Sequence, residues 1–165
     1  MKVLLAFFFF FACVFSWAQT PKSILKKYPK DLQKILLTEE NVFRGLNFGD
    51  SWETVRTKEK ARISFESDTM MIFTIFLDAD DSADLIYTFD DEGKADGFSI
   101  IFILADKEEE LLLRENLMKF YTEKFGLYDI VNEEDEIWDS EKGYKIEMRD
   151  TSDEAGTEIE VAYYR

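Results

Sequence analysis

The hydrophobic residues of this chain recur first at helical spacing and then, for most of its length, at the spacing of strands. Ile24, Leu25 and Tyr28 make a turn and a half of helix. Pro29 interrupts it and can sit in the first turn of a second segment carrying Leu32, Ile35 and Leu36. Residues 41–49 set Val42 apart from Phe43 and run into Gly49, which predicts a short strand or extended linker ending in a glycine turn. A helix is predicted over 50–60, where Trp52, Val55 and Glu59 follow at helical spacing. Asp50 is its expected cap, with Glu53 completing a capping-box-like pair, and Ser51 reads as a cap or near-cap.

Residues 61–65 predict a short strand, and three apolar runs follow. Residues 70–77 and 98–104 are apolar on both faces, and 85–89 alternate with Leu85, Tyr87 and Phe89 on one side. Turn signals at 78–84 and at Asp90-Asp91-Glu92-Gly93 separate them. Strands apolar on both faces suggest the centre of a sheet, covered on at least one side by helices.

Residues 106–125 predict a long helix. Asp106 caps it, Glu108, Glu109 and Glu110 suit the positive end of its dipole, and Gly126 stands where a C-terminal cap belongs. Leu113, Leu117 and Phe120, with Leu111, Met118 and Phe125, form the expected core stripe. Beyond it come Ile137-Trp138, then Tyr144, Ile146 and Met148 alternating with Lys145, Glu147 and Arg149. The last strand sets Ile159, Val161 and Tyr163 on one face and Glu158, Glu160 and Tyr164 on the other. The order predicts an α+β fold, an antiparallel sheet with helices packed on one face. A helix followed by three strands occurs at 50–104 and again at 106–164, which suggests two degenerate blocks.

The N-terminus changes the domain count. Lys2 precedes an unbroken apolar run over residues 3–15, shorter than the roughly 20 residues that span a membrane. Ser16-Trp17-Ala18 places small residues around a bulky one, so 1–18 read as a secretory signal peptide and 19–165 as one domain with no transmembrane segment. The expected destination is the periplasm or the exterior. The alternative is a lipoprotein anchored at Cys13, which Ala12 precedes.

Composition narrows the chemistry. The 165 residues include no His and a single Cys, so His triads, His metal sites and intrachain disulfides are excluded. The 35 acids and 20 bases leave a net charge of −15, which argues against nucleic acid and anionic membranes as partners. Asp78, Asp80, Asp81 and Asp84 form the densest acidic loop and are the candidate calcium ligands, although an EF-hand loop would need Gly and Glu at positions that carry neither. Asn132-Glu133-Glu134-Asp135-Glu136 is a second acidic run. Ser51 lacks both the second glycine of a nucleophile elbow and a histidine base. Trp52, Trp138, Tyr163 and Tyr164 are expected to be partly exposed, and Trp52, Trp138 and Tyr164 are the candidate interface residues.

Gly45-Leu46-Asn47-Phe48-Gly49-Asp50-Ser51-Trp52-Glu53-Thr54-Val55 with Glu59 resembles the opening of small exported bacterial proteins. Tyr87-Thr88-Phe89-Asp90-Asp91-Glu92-Gly93-Lys94 looks like the aromatic strand and glycine hairpin that follow it. The set is similar to the SmpA-like proteins of outer-membrane assembly, and more loosely to the duplicated beta-lactamase-inhibitor fold. That resemblance implies helices packed on an antiparallel sheet and a role in binding other proteins. The expected function is a non-enzymatic binding or assembly module of the bacterial cell envelope, without cofactor, whose partner is another envelope protein. A carboxylate-dependent hydrolase and a calcium-responsive module are the alternatives.

Overall fold

Alternation along the strands builds one continuous sheet. The computed structural model describes residues 23–77, 80–132, 135–154 and 156–165. The expected signal peptide, Cys13, Asp78 and the Glu133-Glu134 pair lie outside them. A short 3-10 turn (Ile24–Lys27) leads into α1 (Lys30–Leu36) and α2 (Trp52–Lys58). Four strands follow: β1 (Arg62–Glu66), β2 (Met70–Phe76), β3 (Ser82–Phe89) and β4 (Ala95–Leu104). Then come α3 (Lys107–Phe125), β5 (Asp129–Val131), β6 (Asp135–Asp139), β7 (Lys145–Asp150) and β8 (Thr157–Tyr164). The eight strands pair antiparallel in the order β1-β2-β3-β4-β8-β7-β6-β5. The predicted α+β architecture is therefore present. Each of α2 and α3 is followed by four strands rather than three, because β1 belongs to the first meander and β5 is an additional short edge strand.

Register explains where the core lies. Met71, Tyr87, Phe98, Tyr163, Ile146 and Trp138 align across six neighbouring strands, and all are buried. Phe73, Leu85, Ile100, Val161, Met148 and Glu136 form a parallel buried row. Because side chains alternate across a strand, both rows face the same way. Leu32, Ile35 and Leu36 of α1, Val55 of α2, and Leu117, Phe120 and Tyr121 of α3 join them in one core. Phe43 sits at the centre, 5.5 Å from the rings of Tyr87 and Phe98 and 5.1 Å from that of Tyr163. Such aromatic pairs add to the stabilisation that burial alone provides.

Two helix starts qualify the sequence reading. Ser51, not Asp50, is the N-cap of α2 and accepts from the Thr54 N–H at 3.2 Å. Asp50 instead accepts from the Asn47 N–H, one turn earlier. Asp106 caps α3 as expected, accepting from Glu108 and Glu109. The α3 stripe is rotated from the predicted one. Leu111 is 58% exposed, while Tyr121 and Glu110 are buried. The Tyr121 hydroxyl lies 2.5 Å from that of Tyr163, and Arg114 donates to both Glu136 oxygens at 2.8 Å. These polar links settle which side of the helix faces the sheet.

The strongest polar constraint is buried. Arg44 and Gly45 both have positive φ, 49° and 82°, and close a tight reversal that bridges Phe43 to Leu46. The reversal turns Arg44 inward. Its Nε and Nη2 donate to the Glu59 oxygens at 2.7 and 2.9 Å, and Nη1 donates to the carbonyls of Lys34 and Ile35 at the end of α1. Glu59 also accepts from the Tyr87 hydroxyl and from the Lys60 and Ala61 N–H groups at 2.7–2.9 Å. The ion pair is bidentate and fully hydrogen-bonded, the geometry in which a buried pair can offset its desolvation.

Removing one partner strands the other charge. Glu59→Gln or Arg44→Met should lower unfolding free energy by about 3–5 kcal/mol in urea titrations, whereas replacing both with apolar residues should recover much of the loss. A single-variant loss below about 1 kcal/mol would show that the pair does not hold these segments.

The same site predicts an acid limb. Burial alone would raise the Glu59 pKa, but the hydrogen bonds and charge of Arg44, with Ala61 and Tyr87, hold it below the usual value. A carboxyl lowered by folding stabilises the fold above its unfolded pKa, near 4.3, and that contribution is lost as pH falls through the folded value. Stability measured against pH should fall less steeply below about pH 4 in Glu59→Gln than in the parent. Identical acid limbs would rule out this account.

Candidate functional site

The described helices pack on one face of the sheet, and the described residues leave the opposite face open. Three rows cross it. Ile72, Ile86, Ser99, Ala162, Glu147 and Ile137 form the first. Thr74, Asp84, Ile101, Glu160 and Arg149 form the second, and Phe76, Ser82, Ile103 and Glu158 the third. Nearly all are half-buried, and Phe76 is 61% exposed. The apolar run on both faces of β2 and β4 therefore has a specific meaning: Ile72, Ile101 and Ile103 point away from the helices and are not covered by them.

The face is divided by chemistry. Over β2, β3 and β4 it presents Ile72, Ile86, Ile101, Ile103 and Phe76. Thr74 donates to Asp84 at 2.6 Å among them. Over β7 and β8 it presents Glu147, Glu158 and Glu160 with two bases, Lys145 opposite Tyr164 and Arg149, whose Nη2 donates to Glu160 at 2.7 Å. Glu147 lies 3.9 Å from Arg149 Nε, and Glu158 makes no ion pair among the described residues. Tyr164 closes this half. Burial first, and then the Glu147 carboxylate, hold its hydroxyl pKa above the usual value.

The predicted site residues separate. Asp84 and Tyr164 share the open face, on β3 and β8. Asp81 accepts from the Ala105 N–H at 2.9 Å and so fastens the loop before β3 to the end of β4. Asp80 is exposed. Among the described residues no three acidic side chains converge as a metal site would require. Trp52 is half-buried away from this face, under the Arg56 guanidinium 5.2 Å from its ring, and its backbone N–H donates to the Gly93 carbonyl. Trp138 is fully buried and corrects the expectation of exposure. Its ring lies against Tyr121 and Tyr128, and Nε1 donates to Thr122 at 3.3 Å. Tyr163 is buried as well.

Among the described residues, Glu39, Glu59 and Glu123 have lowered carboxyl pKa values, and Ser152 with Lys107 brings Asp150 down to about 2. No helix of the described residues is long and apolar enough to cross a membrane. No protein-family model, curated protein or solved structure matches this chain.

If Ile101 belongs to an open face, neighbouring isoleucines must respond differently to truncation. Ile100→Ala, in the core, should cost about 2–5 kcal/mol in denaturant titrations. Ile101→Ala should cost less than about 1 kcal/mol. Equal losses would mean that something covers the open face in the isolated chain.

Proposed function

We propose that this domain is a non-enzymatic protein-binding module of the bacterial cell envelope, exported by residues 1–18, that docks a basic partner on the open face of its sheet. The observation that carries this reading is the division of that face into an apolar half and an acidic half. Surface isoleucines that occur singly need no partner, but Ile72, Ile86, Ile101, Ile103 and Phe76 lie on adjacent strands. Their loss from water drives association, while Glu147, Glu158 and Glu160 select a partner whose rim carries Lys or Arg. The net charge of −15 steers such a partner from a distance. The resemblance to SmpA-like and inhibitor-like proteins points the same way, and we read the repeated helix-then-four-strand order as two copies of one unit joined at β4 and β8.

A photoreactive residue placed at 86 or 101 should crosslink one basic envelope protein with defined stoichiometry. Placed at 119, on the exposed side of α3, it should not. Ile86→Lys with Ile101→Lys should weaken capture by at least about tenfold, and raising salt from 0.05 to about 0.5 M should weaken it further. The same product from position 119, or none from 86 and 101, would remove the sheet face from the reading.

A further inference from the structure

A cavity of about 460 Å³ opens between the C-terminus of α3, the β6–β7 hairpin and the loop after α1. Its size is that of a small-molecule site. It gathers two lysines in a chain of net charge −15. Lys124 enters from α3, with its ammonium over aromatic rings, 4.9 Å from the centroid of Phe125 and 5.7 Å from that of Phe120. Lys124 makes no hydrogen bond or ion pair among the described residues. Lys142 enters from the hairpin, whose turn is fixed by the Gly143 N–H to Ser140 carbonyl bond at 2.9 Å and by the positive φ of Gly143. Tyr144, buried, and Phe125 supply the apolar wall, and Asn41 and Ser140 supply polar groups.

Two of the acids around the cavity are engaged by other groups. Asp139 is held by Lys145 at 2.7 Å. Glu39 accepts from Ser23 and from the Leu25 N–H, at 2.8 Å for the latter. Glu141 is exposed at the hairpin tip. Burial, then repulsion from Lys142, outweigh the pull of Glu39 and bring the Lys124 pKa down to about 8. An ammonium under that strain gains most from an anion placed beside it.

We propose that this cavity binds a small organic carboxylate, with its carboxylate between Lys124 and Lys142 and its apolar body against Phe125 and Tyr144. A single negative charge fits better than a phosphate dianion, because Asp139, Glu141 and Glu39 surround the two lysines with acids. Phe125 and Tyr144 line one side with aromatic rings, which an inorganic anion leaves unused. The proposal does not rest on the function proposed for the open sheet face.

Phenylacetate is the probe, with acetate and inorganic phosphate for comparison. Calorimetric titration should give saturable millimolar or tighter binding of phenylacetate, and weaker binding of the other two. Lys124→Met, which keeps the apolar stem, and Lys142→Ala, at an exposed turn, should each weaken it by at least about tenfold while leaving the melting temperature within a few degrees. Lysine-selective NMR should show the Lys124 titration moving up from about 8 when the ligand is bound. No saturable binding, binding unchanged in both variants, or preference for phosphate would each overturn the proposal. None of these results would bear on capture through positions 86 and 101.

Discussion

The Arg44–Glu59 pair is the constraint on which the arrangement of the helical layer depends. Arg44 reaches the last carbonyls of α1, Glu59 ends α2, and Tyr87 belongs to β3. Three segments distant in sequence must meet before either charge is satisfied. A buried charge with no partner is so unfavourable that alternative packings of the 41–46 reversal are excluded. The role is more one of specificity than of net stability. It matters here because a single cysteine rules out a disulfide within the chain. Aromatic packing around Phe43 and two guanidinium–carboxylate clamps, Arg44–Glu59 and Arg114–Glu136, are what tie the helices to the sheet.

That arrangement determines the other face. With every described helix committed to the side of Met71, Leu85, Phe98 and Val161, no described element covers the other side of the strands. An open antiparallel face ordinarily carries polar residues. Here its β2–β4 half carries isoleucines and its β7–β8 half carries glutamates. The residues between strands are not placed by turn chemistry, since both meanders use short hairpins. The asymmetry is the feature on which the proposed binding role rests.

Much of this was legible in the sequence, for physical reasons that also explain the failures. Strands β7 and β8 are amphipathic with period two, so Ile146, Met148, Ile159, Val161 and Tyr163 declare their face. Asp106 and the following glutamates mark α3, because capping is local chemistry. Trp138 was harder: its indole N–H finds Thr122 on α3, a contact that no pattern on β6 reveals. Leu111 is misplaced by periodicity alone, since the clamp of Arg114 on Glu136 and the Tyr121–Tyr163 contact decide the rotation of the helix. The three residues of β5 are too few for a period. The apolar runs of β2 and β4 were visible, but a run that is apolar on both faces does not say whether its second face is covered by the protein itself. The lysine cavity left no trace, because its walls come from three separate stretches.

The edges of the sheet help decide which surface is on offer. A long flat edge strand invites another chain to add to it. β1 is short, has a register irregularity between Ile63 and Phe65, and carries Arg62 and Glu66 at its ends. β5 has three residues and begins with Asp129. Both edges thus have the features that discourage strand addition. The open face has no comparable protection over β2, β3 and β4: neither a lysine nor an arginine stands among Ile72, Ile86, Ile101 and Ile103, and the acids on those strands, Asp84 and Asp96, are engaged by Thr74 and Thr88. Blunted edges and an apolar centre are the features that favour the proposed docking across the strands over addition along them.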